Sequence, residues 1–223
     1  MIPWERLDAV TLEDGIDLKL MRRGTEYSIM LGTNELMNSR LSGSEEALAT
    51  YAVDRLGDRP APRIMIGGLG MGFTLRAALR LLPPDAQVTV CELVPEVIEW
   101  AKGPMAPVFE GCLEDPRVML HQGDVGRLVR SGHENWEAIL LDVDNGPEGL
   151  TRQGNDALYS AQGLATACRA LVKGGVYSVW SSAPDPAFTR RLKQAGFKVE
   201  ERPTRASTRK RGARHMIWVA QKP

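Results

Sequence analysis

From residue 63 onward, short apolar runs alternate with longer stretches whose apolar residues recur at helical spacing, and this alternation constrains the fold more than any other feature. Residues 63–66, 87–91, 117–121, 137–143 and 175–180 read as strands buried on both faces, with helices between them. Leu75, Ala78, Leu79 and Leu82 share one face of the first intervening helix, which therefore packs on the sheet. The repetition predicts an α/β class chain with a mostly parallel, Rossmann-like sheet and helices on both faces. After Asp185, a helix to about 195 precedes two strand-like runs, Phe197–Glu201 and His215–Gln221, joined by a basic loop. These predict a C-terminal antiparallel hairpin, an unusual ending for a dinucleotide dehydrogenase.

The first 60 residues follow a different pattern. Ile16, Leu18 and Leu20, then Tyr27, Ile29 and Leu31, alternate on either side of Arg22-Arg23-Gly24-Thr25 and read as a β-hairpin. Ser42-Gly-Ser-Glu45 has capping-box spacing and predicts a helix over about 43–56. Asp58-Arg-Pro-Ala-Pro62 breaks the pattern as a linker. The expected organisation is a small N-terminal β-hairpin and helix extension over 1–57, followed by the sheet domain over 63–223.

Charge and cysteine usage narrow the partners. The 28 basic side chains balance 28 acidic ones, so there is no global field to hold nucleic acid or an acidic membrane. Cys91, Cys112 and Cys168 show no CxxC spacing and are expected to fill core rather than form disulfides or a metal site. The Met-Ile-Pro-Trp-Glu-Arg start lacks a signal-peptide pattern, and no stretch approaches the roughly 18 apolar residues of a membrane span. A soluble, cytoplasmic protein is expected.

The chemistry-bearing residues fall at the carboxyl ends of the predicted strands, where open α/β sheets bind ligands. Gly67-Gly68-Leu-Gly70-Met-Gly72 follows the first strand and opens a helix, so backbone can approach a ligand near unpaired amides. Glu92 ends the second strand, where a carboxylate accepts both ribose hydroxyls of a nucleoside. The loop reads GxGxG through Gly68, Gly70 and Gly72; a nicotinamide-type GxGxxG opened at Gly70 would need glycine where Leu75 stands. Asp124, after the third strand, either takes a hydrogen bond from an exocyclic adenine amine or caps the next helix. The fourth strand runs into Asp142 and Asp144, two acids at the sheet edge.

Together these residues resemble the class I S-adenosylmethionine-dependent transferases, and among them the spermidine synthases. The resemblance covers roughly residues 15 to 200: the hairpin, Ile66-Gly-Gly, Cys91-Glu-Leu-Val-Pro-Glu-Val-Ile98, Asp115-Pro-Arg-Val118, Gly123-Asp124, Leu141-Asp142, Gly146-Pro-Glu-Gly-Leu150 and Ala170-Leu-Val-Lys-Gly-Gly175. It implies a class I methyltransferase fold and, as co-substrate, decarboxylated S-adenosylmethionine or S-adenosylmethionine, with no metal. Gly67, Gly68, Gly70, Gly72, Glu92, Leu93, Asp124, Val125 and Asp142 would surround the donor, Glu92 at the ribose and Asp124 with Val125 at the adenine. Asp142, with Asp144, would serve the reacting amine. The implied acceptor is a small amine such as a polyamine. Alternatives are methyl transfer to a small molecule or RNA, and nucleoside binding without catalysis.

The departures bear on the acceptor and the donor tail. The family's GGGDGG loop carries an acid for the aminopropyl amine, and that position is Gly70 here. Its Asp-x-x-Asp becomes Asp142-Val-Asp144-Asn145, and its Tyr-His-Glu segment reads Ser42-Gly-Ser-Glu-Glu46. Trp100, Trp136, Trp180 and Trp218 are expected in core or interface packing, with Trp180 the one placed to line an acceptor pocket. His121, His133 and His215 lack ligand spacing and read as structural or surface residues. The acid-free basic run from Arg202 to Arg214 reads first as a solvated loop, second as a surface for an anionic acceptor such as RNA. The small N-terminal β unit predicts a homodimer, because it buries too little alone.

Overall fold

The computed structural model describes residues 2–143, 157–207 and 212–223. Two sheets organise it. The first is antiparallel, in the order β1 (Glu5–Thr11), β2 (Asp17–Arg23), β3 (Glu26–Leu31) and β4 (Asn34–Asn38). The predicted hairpin is its centre, with Leu20 opposite Ile29 and the turn passing through Gly24 at φ 61°. The flanking strands escaped prediction for a physical reason. The ladder slips once at Arg6/Asp8 in β1 and once at Ile29/Met30 beside β4, and such bulges interrupt the period of two that marks a strand.

The second sheet has seven strands: β5 (Arg63–Gly67), β6 (Gln87–Glu92), β7 (Val118–Gln122), β8 (Trp136–Leu141), β9 (Leu171–Ser181), β10 (Lys198–Arg205) and β11 (Arg214–Gln221). Their order is β10-β11-β9-β8-β5-β6-β7, parallel from β7 to β9 and closed by the antiparallel β11 and β10. The chain thus turns outward from β5 in both directions, the switch point at which open sheets leave a crevice. Asp142 follows the end of β8 rather than lying within it, and β9 starts at Leu171, earlier than expected.

Alternation along each strand sorts the core into two faces. Ile64, Ile66, Val88, Val90, Ala138, Leu140, Val176, Ile217 and Val219 point to one side, under α1 (Gly43–Leu56), α2 (Phe73–Leu81), α3 (Pro95–Lys102) and the N-terminal sheet. Met65, Cys91, Ile139, Leu141, Tyr177, Val179, Met216 and Trp218 point to the other. There they meet α5 (Val125–Ser131), α6 (Ala161–Ala170) and α7 (Pro186–Gln194); the short α4 (Ala106–Phe109) lies on the first side, through Phe109. Asp185 caps α7 by accepting from the amides of Ala187 and Phe188 at 2.7 and 2.9 Å. Trp218 is fully buried and donates to Thr189 Oγ1 at 2.8 Å, which satisfies its one polar atom.

Helix α1 spans the predicted residues without the predicted capping box, since Ser42 makes no side-chain cap. Glu45 turns instead towards the sheet edge. The helix packs on α2 and on β8, β9, β10 and β11, and we propose that the boundary between the two units lies after β4 rather than after residue 57. All three cysteines are free. Among the described residues, no helix is long and apolar enough to cross a membrane, and no cluster of metal-ligating side chains occurs.

Candidate active site

Four strand ends meet through backbone hydrogen bonds. The Gly68 amide donates to Cys91 O at 2.8 Å, Gly123 to Glu92 O at 2.8 Å and Asp142 to Gly67 O at 2.9 Å. Glu92, 9% exposed, accepts from the Leu69 amide at Oε2 and from the Val94 amide at Oε1, both at 2.9 Å. One carboxylate therefore clamps the glycine loop to the start of α3. Charge-assisted bonds of this kind are about twice as strong as neutral ones.

Above this edge lies a cleft of about 930 Å³, its open mouth included. Gly68, Gly70, Glu92, Leu93, Asp124, Val125 and Asp142 line its floor and walls, so the structure brings together seven of the sequence-predicted residues. Leu12, Leu18, Ile29, Leu31, Leu36 and Met37 of the N-terminal sheet form an apolar roof. Gly67 and Gly72 stand outside the lining. A Cβ on Gly67 would meet Leu141 and Val125 at 2.9 Å, and one on Gly72, at φ 76°, would meet the Phe109 ring at 2.5 Å. Packing, rather than ligand approach, requires glycine at those two positions. Asp124 is a helix cap, its Oδ1 accepting from the Arg127 amide at 2.8 Å at the start of α5, and it also lines the cleft. Asp144, the second predicted acid, lies outside the described residues.

A second cavity opens beside the first and shares Leu36, Met37, Gly70 and Asp142 with it. Its other lining residues are Glu45, Leu69, Met71, Phe73 and Trp180. Thr74 Oγ1 donates to Asp142 Oδ2 at 2.7 Å and lies 3.3 Å from the carbonyl oxygen of Glu45. Burial and the neighbouring Glu45 charge push the Asp142 carboxyl up to about 7, against the lowering effect of the Thr74 hydrogen bond. Burial raises Glu45 as well. Two carboxyls in one low-dielectric pocket resist full ionisation, and such a pocket favours a cation or an exchangeable proton.

Sequence reasoning missed Glu45, Thr74 and the whole roof. Glu45 was absorbed into a local capping pattern. The remaining signal, two adjacent acids in a first turn, does not separate a pocket residue from one that favours the helix dipole.

The spermine/spermidine synthase domain model matches residues 53–193. The chain belongs to that family. Among curated relatives, a polyamine aminopropyltransferase of Corynebacterium efficiens is 34% identical over 171 residues, covering 75% of this chain and 31% of the relative. The aminopropyltransferase of Korarchaeum cryptofilum is 38% identical over 86 residues, 39% of this chain and 26% of that protein. The chain thus spans about a third or less of the length of these relatives. The solved spermidine synthase of Thermotoga maritima superposes with a TM-score of 0.74 at 18% identity, covering 98% of this chain and 72% of the other. A spermidine synthase in complex with the transition state analogue AdoDATO matches with the same TM-score at 17% identity and the same coverage. At these identities the superpositions establish the fold, and they extend it beyond the family match to the N-terminal sheet and the C-terminal hairpin.

Proposed function

We propose that this member of the spermine/spermidine synthase family transfers an aminopropyl group from decarboxylated S-adenosylmethionine to an amine. The observation that carries the reading is the Glu45 and Asp142 acid pair at the boundary between the two cavities. An aliphatic amine has a pKa near 10, like lysine, and attacks carbon only after losing a proton. A carboxyl held near 7 by its surroundings is matched to that task, because it is ionised often enough to accept the proton and basic enough to keep it. Asp142 lines both cavities, so it can orient the amine towards the reacting carbon, and alignment is a large part of such a displacement.

In this reading Glu92 accepts the ribose hydroxyls, while Asp124 and Val125 flank the adenine. Gly68, Gly70 and Leu93 line the passage between base and sulfur, and Asp144 serves as the second acid near the amine. Two features support the donor's nucleoside end: a nearly buried carboxylate at the cleft floor, and apolar walls above it. The fit is weaker at the tail. Gly70 has no side chain to hold an amine, and a Cβ there would meet Met37 Sδ at 3.1 Å.

That apolar neighbour favours a second reading, methyl transfer from S-adenosylmethionine at the same site. Calorimetric titration with both donors, followed by mass spectrometry of incubations with putrescine or spermidine, separates them. Methylthioadenosine with an aminopropylated amine supports the first reading; S-adenosylhomocysteine supports the second. Binding of either donor with no transfer to any amine or methyl acceptor leaves nucleoside binding as the function, and failure of both to bind overturns all three.

For partners, we propose a homodimer formed through the N-terminal sheet, and light scattering showing a monomer at micromolar concentration overturns it. In the basic run, Arg202 pairs with Glu200 at 2.5 Å and lies over the Tyr51 ring, while Arg209, Lys210 and Arg211 fall outside the described residues. Of the placed arginines of the run, Arg202 is compensated, while Arg205 and Arg214 are exposed and stand opposite each other on β10 and β11.

A further inference from the structure

We propose that Glu45, Ser44 and His215 form a proton exit for the acceptor pocket, carrying to solvent the proton that Asp142 takes from the attacking amine. The proposal rests on the amine-transfer reading above. In that reaction an alkylammonium acceptor gives up one proton and its nitrogen bonds to the donor carbon. The carbon–sulfur bond breaks, its electron pair goes to sulfur, and the positive charge passes from sulfonium to product ammonium. One proton is left over in each turnover. With donor and acceptor in the two cavities that Asp142 lines, the direct way to water is filled.

The geometry supplies another way. Glu45 and Asp142 line the same cavity, so the amine or a water held between them passes the proton from the Asp142 carboxyl to Glu45. Ser44 Oγ lies 2.7 Å from Glu45 Oε2 and 2.8 Å from His215 Nδ1. Ser44 has no exposed surface, whereas the His215 imidazole, near the start of β11, is only half-buried. A hydroxyl between a carboxyl and an imidazole supports two hydrogen-bond registers. In one, protonated Glu45 donates to Ser44, which donates to Nδ1. In the other, Nδ1–H donates to Ser44, which donates to the Glu45 carboxylate. A concerted shift from the first register to the second places the extra proton on the imidazole, which then releases its Nε2 proton to water.

The surroundings suit an imidazole that accepts and releases. Burial holds His215 below its ordinary value, so it stands neutral at pH 7, ready to accept. Trp180 meets its ring edge-on at 4.8 Å, and Thr204 stands opposite on β10. The charged groups on the same face are Glu45, with Asp142 behind it, and Arg202, which is tied to Glu200; Glu46, also on α1, pairs with Arg80. Nothing in this set fixes His215 as a permanent cation. A serine and a histidine at these positions are not needed to cap α1, whose Ser42 cap position makes no side-chain bond.

The test reads the wire without turnover. Nitrogen-15 spectra of histidine-labelled protein are followed against pH, with His121 and His133, both exposed, as internal controls and the His215→Gln spectrum as assignment. The expected result is a second step in the His215 ring signal that tracks titration of the acid pair. It moves to lower pH in Asp142→Asn, where Glu45 loses its acidic neighbour, disappears in Ser44→Ala and survives in Ser44→Thr. A His215 signal unchanged by Asp142→Asn, or a second step that persists in Ser44→Ala, overturns the relay. Kinetics with the active amine give the second arm. His215→Gln is expected to lower kcat by on the order of tenfold at low buffer concentration, below the full worth of a general base, with KM unchanged and activity restored by free imidazole. A fall in kcat that imidazole does not restore overturns the relay in favour of a purely structural role. A chain that keeps the spectroscopic coupling yet transfers nothing refutes the transfer reading and supports the wire alone.

Discussion

The two cavities share a wall but handle their carboxylates in opposite ways. In the larger cleft, Glu92 receives two backbone amides at 2.9 Å, so its charge is compensated before any ligand arrives. In the neighbouring pocket, Asp142 accepts from the Thr74 hydroxyl and Glu45 from the Ser44 hydroxyl and the local backbone amides, yet burial pushes both towards protonation. The first arrangement is preorganised binding: the donors are part of the backbone and survive mutation of their own side chains. The second is stored basicity, unfavourable in the empty protein and relieved when a cation enters.

Removing Asp142 should test the contrast most severely. Asp142→Asn is expected to lower amine turnover by about 10² to 10⁴ while methylthioadenosine binding is retained. Equal losses of turnover and nucleoside affinity would mean that the two cavities are one site with no division of labour. Calorimetry on Glu92→Ala probes the other side. Each charge-assisted hydrogen bond to the ribose that this variant removes should weaken methylthioadenosine binding by roughly 1.5 to 3 kcal/mol, with the glycine loop loosened as well. Unchanged affinity would sink the assignment of Glu92.

Stability carries the same signature. The folded chain holds Asp142 near 7, whereas an unfolded chain holds it near the ordinary 3.8, so between those values the folded state binds more protons. Stability must therefore fall as pH rises through that window, and the loss is complete above about 7. Asp142→Asn should raise stability by up to about 4 kcal/mol above this window and by nothing below it, measured as the pH dependence of urea unfolding. A gain independent of pH would assign the effect to packing. The smallest expected effect is at the donor tail. Gly70→Asp, at a φ of 50° that aspartate tolerates and facing the flexible Met37, should favour decarboxylated S-adenosylmethionine over methylthioadenosine by about 1 kcal/mol.

The contrast also explains what could be read in advance. The nucleoside side is built from strand ends, and each contributes a residue immediately after its own apolar run, so Gly68, Glu92, Asp124 and Asp142 announce themselves in order along the chain. Period-two burial and the switch point do the rest of the placement. The acceptor side is built by packing. Glu45 and Ser44 come from the first turn of α1, Thr74 from α2, Trp180 from β9 and His215 from β11, brought together only when α1 lies across the sheet. A capping-box pattern at Ser42 and Glu45 offered a sufficient local explanation for a residue whose role is tertiary, and local sufficiency is what misled. The roof was hidden for a related reason, since the slips in β1 and beside β4 erase the alternation that would have marked a continuous apolar face.

Gly68 sits at φ 91°, and a Cβ placed on it would lie 2.2 Å from the carbonyl oxygen of Asp142. Backbone therefore rests on backbone where the glycine loop meets Asp142. A substitution at Gly68 cannot be absorbed by a side-chain rotation and must move the main chain that carries Asp142. Libraries randomised at Gly68 to change the nucleoside will drag the basicity and aim of the acid with them, and variants selected for a new donor will carry altered amine preferences that no one chose.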